Sequence, residues 1–256
     1  MNGITAVLNV HREGILAQAS LRSIADARQS AEAQGIEVEV IAVADCSDPP
    51  TLDVLGRADR VRVVQTTVDD LGLARNVGVA AASGRVVAFL DGDDLWGRNW
   101  LLAAYQAAVQ DTRPIVWHPE TNLFFGSEQS PYWLLHSNDD TLDADWVTLG
   151  MRNHWTSLSC AAKETYLKVP YRRTDLSAGF GYEDWSWNSE TIAQGCLHRI
   201  VPGTAHLVRV RGSSLVRRTV QRNALMVPSS LHTSRIGWGY RVGSIGVAAT
   251  LCSQGE

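Results

Sequence analysis

Cysteine is scarce in this chain, and its placement excludes two kinds of small stabilised scaffold. Only four of the 256 residues are cysteines, at positions 46, 160, 196 and 252. They lie far apart, form no CxxC pair and are not grouped with histidine, so neither a disulfide framework nor a zinc ribbon is indicated. We expect four free thiols in a reducing compartment.

Long hydrophobic runs are also missing. A membrane-spanning helix takes about 18 to 20 consecutive apolar residues, and the richest apolar stretch, residues 77–90, is interrupted by Ser83, Gly84 and Arg85. The apolar segment Ile4–Val10 has no basic residues before it of the kind that precede the core of a signal peptide. We therefore expect no membrane span and no signal peptide, and we predict a cytoplasmic, soluble protein.

Neither sign of charge dominates the composition. The chain has 23 Lys and Arg against 27 Asp and Glu, a formal net charge of −4, which gives no basis for a nucleic-acid partner. Its 45% hydrophobic and 20% charged residues are typical of a globular protein. A chain of this length fits one large domain that buries enough surface to fold without disulfides or a structural metal.

In the first half of the chain, short apolar segments alternate with amphipathic ones. Apolar, β-branched runs predict strands, and apolar positions repeating with the helical period predict helices, with Gly35 and Gly84 just past two helix ends. The predicted strands are residues 4–10, 38–44, 61–65, 86–90 and 114–118, and the predicted helices are 14–34, 72–83, 100–110, 164–169 and 185–194. This alternation predicts an α/β fold with a mostly parallel central sheet and helices on both faces.

Polar side chains follow three of the predicted strands. In a parallel sheet, the carboxyl ends of the strands meet at one edge, where ligands bind. We therefore expect these side chains to form one site, because they come from three separate strand ends. They are Asn9, His11, Asp45, Ser47, Asp91 and Asp93.

The tightest of these clusters is Asp91-Gly-Asp-Asp94. Two carboxylates separated by one residue, on a turn that Gly92 permits, can converge on one divalent cation. Mg²⁺ or Mn²⁺ bound in this way keeps coordination positions open for phosphate oxygens and offsets charge on a departing diphosphate. The alternative is a purely structural acidic turn in which Asp94 caps the following helix.

Five segments together resemble the conserved core of glycosyltransferase family 2. They are Val7–Gly14, Val43–Asp48, Gly72–Gly78, Ala81–Asp94 and Gly181–Trp185, which holds a Glu-Asp-Trp triplet. The resemblance implies a GT-A fold and transfer of a sugar, with inversion at the anomeric carbon, from a UDP-, dTDP- or GDP-linked donor. It also implies a nucleotide-sugar-binding half over residues 1–115, an acceptor-binding and catalytic half over 116–212, and a basic segment over 213–256, all in one compact domain.

The resemblance assigns the donor nucleotide to the ends of the first two strands. It places Asp45 and Ser47 beside the base or ribose, with Asn9, Val10 and His11 lining the same pocket. The family usually has two adjacent acids at the second strand end, whereas this chain has Ala44 followed by Asp45. A simple Asx-type turn before Pro49 is the alternative explanation of Asp45 and Ser47.

The resemblance assigns the diphosphate and its metal to the next two segments. Arg75 and Asn76 are expected to open a helix whose amides face the nucleotide, and an Arg fork suits phosphate. Asp91 and Gly92 would contact the ribose or the metal, and Asp93 would be the main metal ligand. A solvated helical arginine is the alternative for Arg75.

The Glu183–Asp184 pair is predicted to be catalytic. Inverting transfer is a single displacement, so the attacking hydroxyl must lose its proton to a general base, and the resemblance nominates Asp184. The neighbouring Tyr182, Trp185 and Trp187 would desolvate the carboxylate and raise its pKa. The alternative is an acidic pair that only complements the dipole of the following helix.

The acceptor side is predicted from aromatic residues and one histidine. Trp155, Trp185 and His118 are the candidates, although the alternative for Trp133, Trp146 and Trp155 is a place in the core, and His118 fits a structural turn equally well. For the diphosphate, His206 or an arginine of the C-terminal part is a further candidate, against a solvated basic face. Those arginines are Arg209, Arg211, Arg217 and Arg218.

The leading functional hypothesis is a metal-dependent inverting glycosyltransferase. Its acceptor would be a saccharide, a lipid-linked molecule or a small molecule, and it would act alone or as a homodimer. A sugar-1-phosphate nucleotidyltransferase is less well supported, because it needs a glycine-rich loop after the first strand, and a dinucleotide-binding dehydrogenase would need GxGxxG there. A non-catalytic relative that binds nucleotide sugars remains the alternative from another class.

Overall fold

A computed structural model describes residues 2–127, 130–139, 146–212 and 214–236, and the side chains of 146, 235 and 236 lie outside it. The strands are β1 Ile4–Val10, β2 Val38–Asp45, β3 Arg62–Thr66, β4 Val86–Asp91, β5 Leu95–Trp96, β6 Ile115–Phe125, β7 Tyr132–Leu135, β8 Cys160–Ala162, β9 Phe180–Gly181, β10 Leu197–Arg209 and β11 Leu225–Met226. The helices are α1 Leu16–Glu32, α2 Pro49–Gly56, α3 Leu71–Ala81, α4 Trp100–Gln110, α5 Trp146–Met151, α6 Lys163–Lys168, α7 Glu183–Ala193, α8 Leu215–Gln221 and α9 Ser230–Ile236.

One large sheet runs through both halves of the described chain. Its strand order is β3-β2-β1-β4-β8-β6-β10-β5, with β7 paired to the side of β6. The pairs among β1 to β4 are parallel, as is β6 with β10, whereas β8 runs antiparallel to both β4 and β6. The predicted α/β fold with a mostly parallel central sheet is confirmed. Strand β8 lies between β4 and β6 and so joins the strands of the first half of the chain to those of the second half.

The hydrophobic core lies on both faces of this sheet. Alternate residues of β1 point to opposite faces, as strand geometry requires: Ile4 and Leu8 pack with α1 and α4, and Val7 packs with α3 and α7. Every residue of β1 is buried, because the strand has a paired neighbour on each side and helices above and below. This explains why β1 is a continuous apolar run in the sequence.

Several elements were not predicted from the sequence, among them β5, β7, β8, α5 and α8, and two others show why. The polar turn expected after β2 is the start of α2, where Asp48 accepts a hydrogen bond from the backbone N–H of Thr51, and Pro49 and Pro50 occupy the first helical positions. The second element is β10, which runs through a stretch for which no strand was predicted. Its register shifts between Val201 and Ala205, and this irregularity masks the strand pattern.

Two further predictions from composition can be compared with the described residues. Cys46, Cys160 and Cys196 are free thiols, as expected, while position 252 lies outside the described part. None of the helices in the described ranges has the length and apolarity needed to cross a bilayer.

Candidate active site

The candidate site lies at the carboxyl ends of β1, β2 and β4. These three strands are adjacent and in register, so that Asn9 of β1 lies opposite Asp91 of β4 on one side and Val43 of β2 on the other. The polar side chains that follow the three strands therefore come together at one edge of the sheet, as the sequence predicts.

The turn after β4 is pressed against the end of β1. A β-carbon on residue 92 would lie 2.8 Å from Cγ1 of Val10 and 2.9 Å from the carbonyl oxygen of Asn9, closer than side chains tolerate. The hydroxyl of Ser20 on α1 donates a hydrogen bond of 3.0 Å to the carbonyl oxygen of Gly92. Glycine is thus required here for close approach, and the turn that presents Asp91 and Asp93 is fixed from two sides.

Arg75 is a fully buried arginine at the centre of the site. Its Nη1 donates to Oε1 of Glu183 at 2.9 Å, and its Nη2 donates to Oδ1 of Asp91 at 3.1 Å. Burial alone would lower the pKa of Arg75, but Asp91 and Glu183 more than compensate and leave it raised, so the guanidinium stays charged. Arg75 therefore joins the turn after β4 to the start of α7, although these segments are distant in sequence.

Asp184 follows Glu183 but has a different environment. Its Oδ2 accepts a hydrogen bond of 2.9 Å from the side-chain amide of Asn153. Burial, and then the negative charge of Glu183, raise the pKa of Asp184 to about 7, although Arg75 opposes the rise. This carboxyl can exchange a proton near neutral pH, as a general base must.

Asp93 and Asp94 are held by the end of β10. Nε of Arg211 contacts Oδ2 of Asp93 at 2.6 Å, and the backbone N–H of Arg209 donates to Oδ1 of Asp94 at 2.6 Å. Asp94 is therefore tied to the sheet. It does not cap the next helix, and that alternative is wrong.

Asp93 and Asp94 are buried close to other carboxylates, which makes their ionised forms less favourable. Burial raises the pKa of Asp93 to about 6, with Arg211 opposing the rise and Asp91 and Glu13 adding to it. Burial and the charges of Asp93 and Asp91 likewise raise the pKa of Asp94. A divalent cation would relieve this repulsion, so the donor set fits one.

The number of carboxylates limits what kind of metal ion these residues could hold. Within the described ranges, no group of three or more His, Cys, Asp or Glu side chains is arranged to hold a metal ion. Asp91 and Asp93 would supply two carboxylate ligands, and Mg²⁺ commonly takes one or two carboxylates together with substrate phosphates and water. The residues therefore fit a cation that binds with a diphosphate and not a closed structural site.

Asp45 at the end of β2 holds the loop between β3 and α3. Its two carboxylate oxygens accept hydrogen bonds of 3.1 Å from the backbone N–H groups of Asp69 and Asp70. These bonds run to a segment distant in sequence, so the alternative of a local turn before Pro49 does not describe Asp45. The carboxylate is buried and its orientation is fixed.

The other residues predicted to bind the nucleotide surround Asp45. The hydroxyl of Ser47 donates to the carbonyl oxygen of Val10 at 3.3 Å, and Nδ1 of His11 lies 2.6 Å from the carbonyl oxygen of Asp45. Asn9 is 4% exposed, and neither polar atom of its side chain has a hydrogen-bond partner among the described residues. Since buried amides are nearly always hydrogen-bonded, Asn9 is suited to a ligand or an ordered water.

The expectation that Arg75 and Asn76 open a helix was wrong. Helix α3 begins at Leu71, capped by Asp70, whose carboxylate accepts from the backbone N–H of Leu73. Arg75 lies inside the helix with both arms bound to carboxylates, so it is not a free fork for phosphate, nor is it solvated. Asn76 exchanges hydrogen bonds with the backbone of Tyr171 and acts as a clamp on that segment.

Two of the three candidates for the acceptor site are corrected by their burial. His118 is fully buried and Trp155 is 2% exposed, and their rings stack on each other at 5.3 Å. Neither presents a surface to an acceptor; the alternative of a core position is the right one for Trp155. Trp185 is partly buried, and its indole N–H donates to the carbonyl oxygen of Leu149. Trp133, by contrast, is 65% exposed on β7 and is not in the core.

The arginines and the histidine proposed for the diphosphate have different positions. Arg211 and Arg209 contact the acidic turn, whereas His206 is fully buried against Trp100, with ring centroids 4.5 Å apart. Arg217 and Arg218 lie on α8. The sequence alone does not show which of these residues reach the acidic turn and which do not, because all of them follow the same irregular region.

Among the residues that sequence reasoning missed, two donate hydrogen bonds to carboxylates of the site. Asn153 donates to Asp184, and the hydroxyl of Ser157 donates to Oδ2 of Asp91 at 3.3 Å. Both come from a segment without helical or strand periodicity and carry no motif, so no signal in the sequence identifies them.

The mostly parallel sheet with helices on both faces, and the polar groups at the carboxyl ends of its strands, are those of a GT-A fold. The family model for "Glycosyl transferase family 2" matches residues 7–150, which is more than half of the chain. The chain belongs to glycosyltransferase family 2, and the predicted family membership is confirmed. The comparison with curated proteins found no match.

Solved structures with a similar fold include two of TarS from S. aureus. The crystal structure of TarS residues 1–349 matches 81% of this chain with a TM-score of 0.56 and 16% identity. A second TarS crystal structure matches 81% of this chain with a TM-score of 0.55 and 15% identity. This chain covers 60% and 37% of the two TarS chains, so it corresponds to part of their length. At this identity, the likeness shows the fold.

Proposed function

We propose that the protein transfers a sugar, with inversion at the anomeric carbon, from a UDP-, dTDP- or GDP-linked donor to an acceptor hydroxyl. One observation carries the proposal: a carboxyl group with a pKa of about 7, Asp184, lies in the same charge cluster as Arg75 and Asp91. An inverting transfer needs a base at the acceptor and neutralised charge at the leaving group, and this cluster brings candidates for both together.

Asp184 is proposed as the general base. Its deprotonated form would accept the proton of the acceptor hydroxyl as the oxygen attacks the sugar carbon. Its raised pKa makes it a better proton acceptor than an ordinary aspartate while leaving a substantial ionised fraction at neutral pH.

Glu183 is proposed to act through Arg75 and not as a base. Its carboxylate is committed to Nη1 of Arg75, and its side chain is only 7% exposed. Arg75 in turn holds Asp91 in position and compensates the charge of both carboxylates. Removing one partner from such a buried pair leaves an uncompensated charge, which is strongly unfavourable.

Asp93 and Asp91 are proposed to hold Mn²⁺ or Mg²⁺. When bound, the cation would neutralise charge on the departing diphosphate. Arg211 currently donates to the same carboxylate of Asp93, so its guanidinium and the cation compete for that group. Arg211 and Arg209 are also positioned to contact an anionic donor at this edge.

The nucleotide is proposed to bind at the ends of β1 and β2. Asp45 is oriented by two backbone N–H groups and presents a carboxylate toward ribose or base hydrogen-bond donors. Asn9 offers a donor and an acceptor that the described protein leaves unused. Val10, His11 and Ser47 complete the pocket, in part through backbone atoms.

The acceptor proposed is a saccharide, a lipid-linked molecule or a small molecule with a free hydroxyl. Of the sequence candidates, Trp185 remains proposed for its contact. A homodimer and the cytoplasm as compartment stay predictions from the sequence.

The test is Asp184→Asn, assayed for transfer with a panel of nucleotide sugars in the presence and absence of Mn²⁺. We expect loss of turnover with nearly unchanged donor binding, the latter measured as a thermal shift of the folded protein. Asp59→Asn, at an exposed position, is the matched control and should retain activity.

Other results would change the assignment. Near wild-type turnover of Asp184→Asn would exclude it as the base. Tight donor binding by the wild type with no transfer to any acceptor would favour a non-catalytic relative. Release of pyrophosphate from a nucleoside triphosphate would favour a nucleotidyltransferase.

A further inference from the structure

A short segment between α5 and β8 touches two carboxylates of the site. The side-chain amide of Asn153 donates to Oδ2 of Asp184 at 2.9 Å, and the hydroxyl of Ser157 donates to Oδ2 of Asp91 at 3.3 Å. The segment therefore bridges the proposed base and the turn after β4, four residues apart along one stretch of chain.

The orientation of the Asn153 amide is fixed by a second asparagine. Nδ2 of Asn188 donates to Oδ1 of Asn153 at 3.0 Å, which leaves Nδ2 of Asn153 directed at the carboxylate of Asp184. Asn188 is 2% exposed and lies four residues after Asp184, on the same side of α7. Asp184, Asn153 and Asn188 are thus joined by two successive hydrogen bonds.

Both the segment and α7 are anchored to one buried aromatic cluster. Trp155 lies 5.3 Å from His118 and 4.3 Å from His198, measured between ring centroids. His118 and His198 are joined by a hydrogen bond of 2.9 Å, and Nε2 of His198 lies 2.9 Å from the hydroxyl of Thr191 on α7. The cluster therefore fixes Asn153 and Asp184 relative to each other.

A third histidine holds the backbone of the segment. The N–H of Thr156 donates to Nε2 of His136 at 3.1 Å, so this nitrogen must be unprotonated. Burial lowers the pKa of His136 to about 4 and that of His198 to about 3. The anchor therefore stays neutral and unchanged over the range in which Asp184 would work.

We propose that Asn153 is a positioning residue for Asp184, fixing the plane of its carboxylate and stabilising the ionised form through a hydrogen bond to Oδ2. The inference rests on the proposed function of Asp184 as the base. Asn153 would not touch the reacting atoms; it acts through Asp184.

The charged and titratable groups that face Asp184 define the expected sign. Glu183 on α7 and Asp91 on β4 carry negative charges, Arg75 on α3 carries a positive charge, and Tyr171 lies between α6 and α7. A hydrogen bond donated to a carboxylate favours its ionised form. Loss of the Asn153 amide should therefore raise the pKa of Asp184.

The experiment is a pH titration of the Asp184 carboxyl by ¹³C NMR in the full chain, with Asp184→Asn used to assign the signal. We expect Asn153→Ala to move the midpoint upward by about one pH unit, with kcat near neutral pH falling about fivefold and KM for the donor unchanged. Asn153→Asp has nearly the same size and keeps an acceptor for Asn188, so it guards against a folding defect and should move the midpoint upward as well. Asn99→Ala removes an exposed amide that donates to Gly203 and is the control that should change nothing.

The outcomes separate this inference from the proposed function. An unchanged midpoint for Asp184 in both Asn153 variants would overturn the inference, whatever the activity. A raised midpoint together with full turnover in Asp184→Asn would uphold the role of Asn153 and reject Asp184 as the base. A similar fall in kcat without any shift of the titration would mean that Asn153 is only structural, and would also overturn the inference.

Discussion

The assignment of Asp184 predicts how the pH dependence of transfer responds to its neighbour Glu183. The base must be ionised to accept a proton, so activity should fall as pH drops through the pKa of Asp184, about 7. The negative charge of Glu183 is, after burial, the largest cause of that raised value. Glu183→Gln should therefore lower the pKa of Asp184 and extend activity to more acidic pH.

The magnitude follows from the geometry of the cluster. Removing a charge within about 4 to 6 Å shifts a pKa by roughly one to three units. The lower end applies here, because Arg75 already compensates part of the charge of Glu183 through a contact of 2.9 Å. A fall of about one unit would raise the ionised fraction of Asp184 near pH 6 from about a tenth to about a half. The freed Arg75 acts in the same direction, since its positive charge also favours the ionised form.

The assay is the pH profile of kcat/KM for donor and acceptor, measured for the wild type and Glu183→Gln. The reasoning predicts that the acid limb of the variant lies about one unit lower, although its maximal rate falls because Arg75 holds Asp91 less rigidly. Glu164→Gln, at an exposed position in the first turn of α6, is the matched control. An acid limb of Glu183→Gln that stays in place or moves to higher pH would refute the electrostatic argument.

Two further predictions concern the turn after β4. Gly92→Ala should lower activity strongly and destabilise the fold by about 1 to 3 kcal/mol in urea unfolding, because its methyl group would meet Val10 at 2.8 Å; wild-type stability and rate would show that the turn is looser than described. Arg211→Ala should bind Mn²⁺ more tightly than the wild type in a titration followed by the EPR signal of free Mn²⁺, because it no longer competes for Asp93; equal affinity would show that the ion pair does not obstruct the cation.

The front half of the fold is predictable from the sequence because its signals are local. Strands β1, β2 and β4 are short apolar runs between polar turns, and α4 has the same ends, Trp100 and Gln110, in the prediction and in the structure. The polar residues after these strands meet because a parallel sheet places all its carboxyl ends at one edge. For this part, periodicity and one general rule of topology suffice.

The contacts that complete the site are not predictable in this way. Arg75 and Glu183 are 108 residues apart, and the local sequence around either residue does not indicate that it pairs with the other. Asn153 and Ser157 lie in a segment that packs on buried histidines. Its apolar residues follow neither the helical nor the strand period, so the sequence does not reveal its structure. The same packing explains why His118 and Trp155, which the sequence offers either as acceptor contacts or as structural residues, lie inside the protein.

The pair Glu183–Asp184 shows how one helix start gives two identical functional groups different chemistry. Glu183 is directed at a buried guanidinium, which removes it from proton transfer and makes it part of the scaffold that positions Asp91. Burial and the negative charge of Glu183 raise the pKa of Asp184. Its carboxylate accepts a hydrogen bond from the neutral side-chain amide of Asn153. If Asp184 is the base, its raised pKa depends in part on the charge of Glu183, and the ion pair of Glu183 with Arg75 would then serve the base as well as the fold.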